Sequence, residues 1–168
     1  MKRILIALGL AVAASAAISS PVMAEKPGHM AVRNELYLNS VSYDPKRDPE
    51  ADLKVAIEKA QADKKRILLD VGGEWCSWCH ILDDYLASNK GVGDAFAASF
   101  VIVKVNWSPD NKNAAFLSKY PKVDGYPHFF VLSSSGKLLS NQPTSPLEQG
   151  ESYNRERMLK FAKAWAHD

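Results

Sequence analysis

Apolar residues recur at the spacing of a helix face in the segment that follows Asp48 and Pro49. Asp as the N-cap and Pro at the first helical position are typical of a helix start. The apolar positions lie three or four residues apart, as one face of a helix requires, and they are Leu53, Ala56, Ile57 and Ala60. The sequence therefore predicts a helix that the solvated basic residues 64–66 close, where cations suit the helix dipole.

Two continuous apolar runs predict buried strands. Residues 67–71 (ILLDV) and residues 100–105 (FVIVKV) are each interrupted by one charged side chain, Asp70 in the first and Lys104 in the second. A third strand is expected to start at about His128. Residues 133–136 (SSSG) are typical of a turn, so residues 137–140 (KLLS) predict a fourth strand and an antiparallel hairpin.

Helical patterns separate these strands. Helices are predicted over residues 76–87, near 94–99, over 114–120, and in a C-terminal segment whose apolar face holds Met158, Phe161, Ala162 and Trp165. We expect a short strand within residues 35–43 (ELYLNSVSY) and a loop over residues 141–151. The alternating helices and strands require parallel pairing with right-handed crossovers. The predicted fold is therefore α/β, with a mixed central sheet covered by helices on both faces.

The first residues have the pattern of a secretory signal peptide. Lys2 and Arg3 precede an apolar run, and Val22 and Ala24 supply the small residues of a cleavage site. An uncleaved anchor helix is the alternative, although the apolar run is short for a membrane span of about 20 residues. We therefore predict a signal peptide over residues 1–24, an extension over 25–47, and one domain over 48–168. Export indicates an oxidising compartment, and we expect a bacterial periplasm.

Charge and cysteine content exclude several classes of function. Lysine and arginine together number 21 and acidic residues 19, and removal of the predicted leader with its two cations leaves the chain balanced. A balanced chain argues against nucleic acid or an anionic membrane as a partner. A chain of this length forms one domain with its own core, which we expect to be a monomer. Its two cysteines cannot build a disulfide framework, so they are free for chemistry.

The cysteines lie where the predicted first strand leads into a helix. A thiolate at Cys76 would meet unpaired backbone N–H groups and the positive end of the helix dipole, which lower the pKa of a thiol. Cys79 lies one helical turn further on and could attack a mixed disulfide formed at Cys76. A structural disulfide and half of a zinc site are the alternatives, but the chain has no second cysteine pair to complete such a site. Asp70, an acid inside an apolar strand, should have a raised pKa suited to proton transfer near neutrality.

Three segments together resemble the thioredoxin superfamily, and in particular its exported bacterial thioredoxin-like domains. They are ILLDVGGEWCSWCH at residues 67–80, VKVN at 103–106 and VDGYPHFFVLSSSGKLL at 123–139. The resemblance implies a three-layer thioredoxin-like sandwich and a thiol:disulfide oxidoreductase. It implies no cofactor beyond a redox-active Cys76–Cys79 disulfide and no metal, with Cys76 as the attacking and Cys79 as the resolving thiol. The implied partners are client proteins with thiols or disulfides and a membrane or periplasmic thiol electron donor.

The resemblance also implies roles for residues around the cysteines. Trp75 would pack beside them and Asp70 would exchange a proton with Cys79. Lys104 would be the charge partner of Asp70, although a lysine near a strand end is also explained as a snorkelling side chain. An X–Pro bond is cis in only about 5–6% of cases in folded proteins, but the resemblance implies a cis bond at Tyr126-Pro127. Tyr126 would then line the client groove with its backbone open to an extended client, unless it is an ordinary core tyrosine.

The motif departs from thioredoxin itself between and before the cysteines. Ser77 and Trp78 replace a Gly-Pro pair, and Gly72 and Gly73 replace bulkier residues. The intervening dipeptide strongly affects the redox potential in this superfamily, so we expect Ser77, Trp78 and the adjacent His80 to tune the thiols. No cation or histidine lies between the cysteines, which favours a reducing or isomerising role over a strongly oxidising one.

Two other functions are compatible with the Cys-x-x-Cys-His motif. Attachment of c-type haem would use both cysteines, His80 as one axial ligand, and a second ligand from Met30, Met158, His29, His128 or His167. Against it, small c-type cytochromes are mainly helical, whereas this chain has several predicted strands. Copper binding or delivery would use Cys76 and Cys79 with a histidine such as His128.

Overall fold

The structure, a computed structural model, describes residue 33 and residues 35–166. The predicted signal peptide, its cleavage site, His29, Met30 and His167 lie outside the described residues. The helices are α1 (Pro49–Asp63), α2 (Ser77–Ser88), α3 (Lys90–Ser99), α4 (Ala114–Leu117) and α5 (Arg155–Ala164). The strands are β1 (Arg66–Gly72), β2 (Phe100–Asn106), β3 (His128–Leu132), β4 (Leu138–Pro143), β5 (Glu148–Gln149) and β6 (Ser152–Tyr153). Within the described part, no helix is both long and apolar enough to cross a membrane.

A four-stranded mixed sheet forms the centre of the fold, in the order β2-β1-β3-β4. Strand β1 pairs in parallel with β2, which places Asp70 opposite Lys104. Strand β3 runs antiparallel to both β1 and β4. The predicted mixed sheet and the predicted antiparallel hairpin of the third and fourth strands, β3 and β4, are therefore both confirmed.

The two faces of β1 pack against different helices because successive side chains point to opposite sides of a sheet. Leu68 packs in a cluster with Leu82 of α2 and Phe96 of α3. Leu69 packs on the opposite face with Ala56 of α1. By the same alternation, Asp70 and Gly72 share the face of Leu68, so the buried acid points toward α2.

Helix α1 begins where the sequence predicts and ends earlier. The Asp48 side chain accepts a hydrogen bond from the Glu50 amide at 2.9 Å, and Pro49 is the first helical residue. The sequence predicts that the basic residues 64–66 close the helix, but the last helical residue is Asp63. Lys64 is the C-cap, with a left-handed φ of 54°, and Arg66 already belongs to β1. Because Arg66 pairs with Phe100 of β2, it is the first residue of β1 and cannot belong to the helix.

The segment before α1 is not the strand that its sequence suggested. Tyr37 forms a single parallel bridge with Ile102, and the Leu38 amide donates to the Ile102 carbonyl at 2.8 Å. The side chains of Tyr37 and Tyr43 turn into the protein and are buried. Residues 35 and 36 are helical and residues 38–42 are mostly bends, so no regular strand continues on either side of the bridge.

Three further predictions on local structure need correction. Helix α3 begins at Lys90, so the break after α2 is reduced to Asn89, whose side chain bonds the Tyr85 carbonyl at 3.0 Å. Helix α4 is a single turn that ends at Leu117. The predicted loop over 141–151 is largely structured, because β4 continues to Pro143 and is followed by a short 3-10 helix and the β5–β6 hairpin.

The C-terminal helix covers one side of the sheet as predicted. Asn154 caps α5 by accepting a hydrogen bond from the Arg157 amide at 3.0 Å. Met158, Phe161 and Ala162 are buried, and Trp165 packs against them at the edge of the cluster.

Candidate active site

The two cysteines form a disulfide at the start of α2. Cys76 is the N-cap of the helix, and its sulfur accepts a hydrogen bond from the Cys79 amide at 3.2 Å. Their Cα atoms are 5.3 Å apart, and Cys76 retains 4% of its exposure whereas Cys79 has none. Of the two cysteines, Cys76 is therefore the nearer to solvent, and Cys79 is fully buried.

Two glycines allow this close arrangement. A Cβ atom at Gly72 would lie 2.6 Å from the Cys79 sulfur and 2.8 Å from Cζ of Tyr43. A Cβ atom at Gly73 would lie 2.3 Å from the Trp75 indole nitrogen and 2.6 Å from the Trp107 carbonyl oxygen. The Gly-Gly departure from thioredoxin therefore has a steric cause, because the active-site side chains occupy the space that a larger residue would fill.

Asp70 is buried on the face of the sheet that points toward α2. One carboxylate oxygen accepts a hydrogen bond from the Tyr43 hydroxyl at 2.8 Å, and the other has no hydrogen-bond partner among the described residues. Burial raises the pKa of Asp70 to about 7; the charge of Lys104 opposes this rise, and the charge of Asp83 adds to it. The raised pKa agrees with the expectation for an acid in an apolar strand.

Lys104 makes its direct ion pair with a different acid from the one expected. Its ammonium group contacts the Asp83 carboxylate and donates to the Val41 carbonyl at 2.9 Å. Lys104 acts on Asp70 through its charge, which lowers the pKa of Asp70 from the neighbouring strand position, but its ion pair is with Asp83. The reason is that Asp83 lies on the buried face of α2, one turn beyond Cys79, where its carboxylate contacts the Lys104 ammonium group directly.

Two tyrosines from the segment before α1 complete this buried network. The Tyr37 hydroxyl donates to the Asp83 carboxylate at 2.5 Å. The Lys104 ammonium lies 4.5 Å from the Tyr37 ring centroid and 4.3 Å from the Tyr43 ring centroid, within range of cation–π attraction. Sequence reasoning missed both tyrosines and Asp83. The available signal was two aromatic residues in an otherwise polar segment.

Three aromatic rings pack together next to the cysteine pair, and one of them is exposed. Trp75 is 53% exposed, and its indole N–H donates to the Trp107 carbonyl at 2.8 Å. Its ring makes edge-to-face contacts with Trp107 at 5.8 Å and Tyr126 at 5.5 Å, while Trp107 and Tyr126 stack at 5.1 Å. We call Trp75, Trp107 and Tyr126 the aromatic rim. Trp107 is a further member that the sequence motifs did not indicate.

The Tyr126-Pro127 bond is cis, as the resemblance implies. Tyr126 is half-buried and packs against both the cysteine cluster and the core beneath α1. It is therefore not an ordinary core tyrosine, because part of its ring remains at the surface of the rim.

The residues expected to tune the thiols occupy three different environments. Ser77 is exposed at the first position of α2. Trp78 packs its ring edge-on to Tyr153 of the β5–β6 hairpin, at 5.8 Å. His80 lies on the surface of α2, where its Nε2 atom forms a hydrogen bond with the Glu74 carbonyl at 2.8 Å.

The structure bears on the two other readings of the Cys-x-x-Cys-His motif. The sulfurs of Cys76 and Cys79 are bonded to each other, which is the oxidised state of a thiol:disulfide exchange pair. The His128 ring forms a hydrogen bond with the Asn141 side chain at 2.5 Å, and burial lowers the pKa of His128. Among the described residues, no group of three or more His, Cys, Asp or Glu side chains is placed to hold a metal ion.

Comparisons with known proteins agree on the fold. A solved disulphide isomerase from Xylella fastidiosa Temecula1 is 24% identical, covers 73% of this chain and 94% of its own, and superposes with a TM-score of 0.61. The reduced DsbD C-terminal domain of Neisseria meningitidis is 20% identical over 69% of this chain and 96% of its own, with a TM-score of 0.51. Human spermatogenesis-associated protein 20 is 37% identical over 51 residues, which are 30% of this chain and 6% of that protein. The chain therefore matches only a small part of that relative's length.

A protein-family model provides the assignment. The model described as thioredoxin-like matches residues 48–134. This match covers the first two segments that carry the resemblance and the third as far as residue 134, in the turn after β3. The chain belongs to the thioredoxin-like family.

Proposed function

We propose that this protein is a thiol:disulfide oxidoreductase that exchanges disulfides with client proteins through Cys76 and Cys79. The observation that carries the proposal is the Cys76–Cys79 disulfide at the start of α2, with Cys76 the nearer of the two to solvent and Cys79 fully buried. A buried acid with a raised pKa lies behind this pair and an aromatic rim lies in front. Such a pair can pass electrons to a client without any further cofactor.

The exchange runs in two displacement steps when a client disulfide is reduced. The Cys76 thiolate attacks one client sulfur, which breaks the client disulfide and releases its other sulfur as a thiolate. Cys79 then loses its proton and attacks the Cys76 sulfur, which releases the second client sulfur and closes the Cys76–Cys79 disulfide. Two electrons pass to the client, and the carboxylate of Asp70 accepts the Cys79 proton. Isomerisation stops at the mixed disulfide, which a different client thiol resolves.

The reducing or isomerising direction is part of the proposal. Ser77 and Trp78, between the cysteines, carry no cation that would strongly stabilise the Cys76 thiolate. His80 comes after the second cysteine, and one of its ring nitrogens is occupied by the Glu74 carbonyl. The reduction potential tests the direction: a value near −270 mV indicates a reductant, and a value near −120 mV indicates an oxidant and would contradict it.

The aromatic rim supplies the proposed binding surface for the client. Trp75 projects beside Cys76 with 53% of its surface exposed, and aromatic rings bury large apolar area at low entropic cost. An extended client segment could pair with the backbone at Tyr126 while its side chains contact the rim. Pro127 cannot donate a backbone hydrogen bond, so Tyr126 would supply the pairing groups there.

Export to the periplasm is proposed from the leader alone. The predicted cleavage after Ala24 would leave a mature protein that starts at Glu25. A thiol electron donor in the membrane or the periplasm would then return Cys76 and Cys79 to the reduced state. N-terminal sequencing of the protein recovered from a periplasmic fraction tests this: a chain that keeps Lys2 and Arg3 would contradict cleavage.

Capture of clients tests the exchange itself. With Cys79→Ser the mixed disulfide cannot be resolved, so clients should accumulate as adducts to Cys76 that a reductant releases. The matched control is the same protein with Cys76→Ser added, which should form no adducts. Absence of reducible adducts in Cys79→Ser would refute the exchange function. A covalent haem absorption band in the purified wild type would favour the cytochrome reading instead.

A further inference from the structure

The buried network behind the disulfide contains two acids and one lysine. Asp70, Asp83 and Lys104 are all at most 4% exposed. Buried charges need partners, because removing an ion from water is costly. The lysine forms its ion pair with Asp83, so Asp70 is the acid that remains without a directly bonded cation among the described residues.

The position of Asp70 relative to Cys79 follows from the strand geometry. Asp70 and Gly72 lie two residues apart on β1 and therefore share a face. On that face, the point where a Gly72 Cβ would lie is 2.6 Å from the Cys79 sulfur and 2.8 Å from Cζ of Tyr43. Cζ carries the hydroxyl that bonds Asp70 at 2.8 Å. The Tyr43 ring and the Cys79 sulfur therefore both lie against Gly72, and the Tyr43 hydroxyl donates to the Asp70 carboxylate.

Tyr43 is itself held in place from several directions. Its backbone amide donates to the Glu74 carboxylate at 2.6 Å, which ties it to the active-site loop. Nearby, the Asn39 side chain donates to Asp52 of α1 at 2.7 Å. These bonds anchor the segment before α1, so the Tyr43 ring is a built part of the site. Tyr43 precedes residue 48, where the match to the family begins.

Within the part of the chain that the structure describes, the groups that interact electrostatically with Asp70 come from the segment before α1, from α2, β2 and β6. They are Tyr37, Tyr43, Asp83, Lys104 and Tyr153. The apolar Phe129 is the neighbour of Asp70 on β3, and Cys79 lies beside Gly72 on the same strand. Tyr43 and Asp83 act on Asp70 in opposite directions, since the hydroxyl stabilises the carboxylate and the second negative charge destabilises it.

We propose that Tyr43 and Asp83 are positioning residues for proton transfer at Cys79: Tyr43 holds the Asp70 carboxyl beside the sulfur, and Asp83 engages Lys104. The proposal deepens the proposed exchange function and rests on it. Because Asp83 holds the lysine, Asp70 is free to exist with or without its proton. When Cys79 attacks the mixed disulfide, its S–H bond breaks and the proton passes to the Asp70 carboxylate. The S–S bond between Cys76 and the client breaks in the same step, and the client sulfur that leaves as a thiolate later takes the proton.

The test uses two variants with opposite expected effects and one matched control. Tyr43→Phe removes the hydroxyl that stabilises the Asp70 carboxylate, so the midpoint of the Asp70 titration should rise by about one pH unit. Asp83→Asn removes the negative charge and releases Lys104, so the same midpoint should fall. Tyr37→Phe is the control, because it deletes an equally buried hydroxyl that bonds Asp83 instead of Asp70, and it should move the midpoint far less than Tyr43→Phe does.

Two readouts separate this proposal from the exchange function. NMR titration of the side-chain carboxyl carbons in the full oxidised protein, assigned with Asp70→Asn, reports the midpoint without any exchange reaction. The pH profile of Cys79 attack on a mixed disulfide, followed by stopped-flow fluorescence, should then shift in the same directions. An unshifted NMR midpoint in Tyr43→Phe, or equal shifts in both tyrosine variants, would overturn the proposal.

Damage to the fold would not imitate this result. General loosening of the site would expose Asp70 and move its midpoint the same way in every variant. Should Tyr43→Phe fail to fold, Asp83→Asn still decides the second half of the proposal, since a midpoint that does not fall contradicts it. Normal shifts in the NMR titration, combined with no client adducts in Cys79→Ser, would refute the exchange function and leave the positions of Tyr43 and Asp83 intact.

Discussion

Replacement of Asp70 by Asn should make the stability of this protein less dependent on pH. Asp70 is buried, and its pKa rises from 3.8 to about 7 on folding. Its carboxylate therefore destabilises the folded state at neutral and alkaline pH. Asn has nearly the same shape, can still accept the Tyr43 hydroxyl, and has no charge to bury.

The sign and size follow from proton linkage. Between the two pKa values the folded state binds more protons than the unfolded state, so the free energy of unfolding falls as pH rises. The contribution is fully present below 3.8 and is lost as pH rises through about 7. Each unit of pKa shift corresponds to about 1.4 kcal/mol, which gives a total of about 4 kcal/mol. The free energy of unfolding of Asp70→Asn, relative to that of the wild type, should therefore increase by about 4 kcal/mol from acid to alkaline pH.

Urea denaturation of both proteins in the oxidised form measures this difference, since the disulfide keeps the cysteines from titrating. The free energy of unfolding would be determined at about pH 4, 5, 6, 7 and 8, across the range where the linkage applies. Asp110→Asn is the control, because Asp110 is an exposed acid in the loop after β2, and its removal should change the free energy of unfolding by the same small amount at pH 4 and at pH 8. A difference between Asp70→Asn and the wild type that stays constant with pH would refute the reasoning.

Three other substitutions test the steric and binding arguments. Gly72→Ala should lower the free energy of unfolding by about 1–3 kcal/mol, because the added methyl group overpacks against the resolving sulfur. Gly125→Ala is the control, since a Cβ there meets no described atom within 4 Å, and it should change the free energy of unfolding by less than about 0.5 kcal/mol in the same urea denaturation. Phe96→Ala, in the fully buried cluster beneath α5, should cost about 3–5 kcal/mol in the same measurement, and a loss below about 1 kcal/mol would contradict its place in the core. Trp75→Ala should reduce kcat/KM for a protein disulfide about tenfold, because it removes about 1.4 kcal/mol of contact with the client. Val55 is equally exposed but lies on α1, so Val55→Ala should leave kcat/KM unchanged. Equal kcat/KM values in the two variants would exclude the aromatic rim from client binding.

Several features of the fold follow from local sequence because they depend on neighbouring residues. Alternating apolar runs and helical patterns predict the mixed sheet, since each element must bury one apolar face. The local sequence pattern also predicts that Cys76 lies at the start of a helix, and in the structure Cys76 is the N-cap of α2. The resemblance extends this to the cis bond at Tyr126-Pro127, which composition and spacing alone would not predict.

Local patterns were less informative where long-range packing decides the outcome. Residues 35–43 suggest a short strand, yet the structure forms only one bridge there, because the consecutive residues Leu36 and Tyr37 are both buried and the chain bends after them. Residues 141–151 have the composition of a loop, yet β4 continues into them and β5 within them pairs with β6, whose Tyr153 ring packs against Trp78. Contacts between residues far apart in the chain compensate for weak local preference in both segments.

The sequence by itself determined the order of elements, the placement of the cysteines at a helix start, and an acid inside the first strand. Only the tertiary structure decided which groups the acid meets. Asp83 and Lys104 are 21 residues apart, and Tyr43 is 27 residues from Asp70, so no local spacing relates them. Electrostatic partners are selected by distance in space within a medium of low dielectric constant, and that distance exists only once α2 and the segment before α1 have packed onto the sheet.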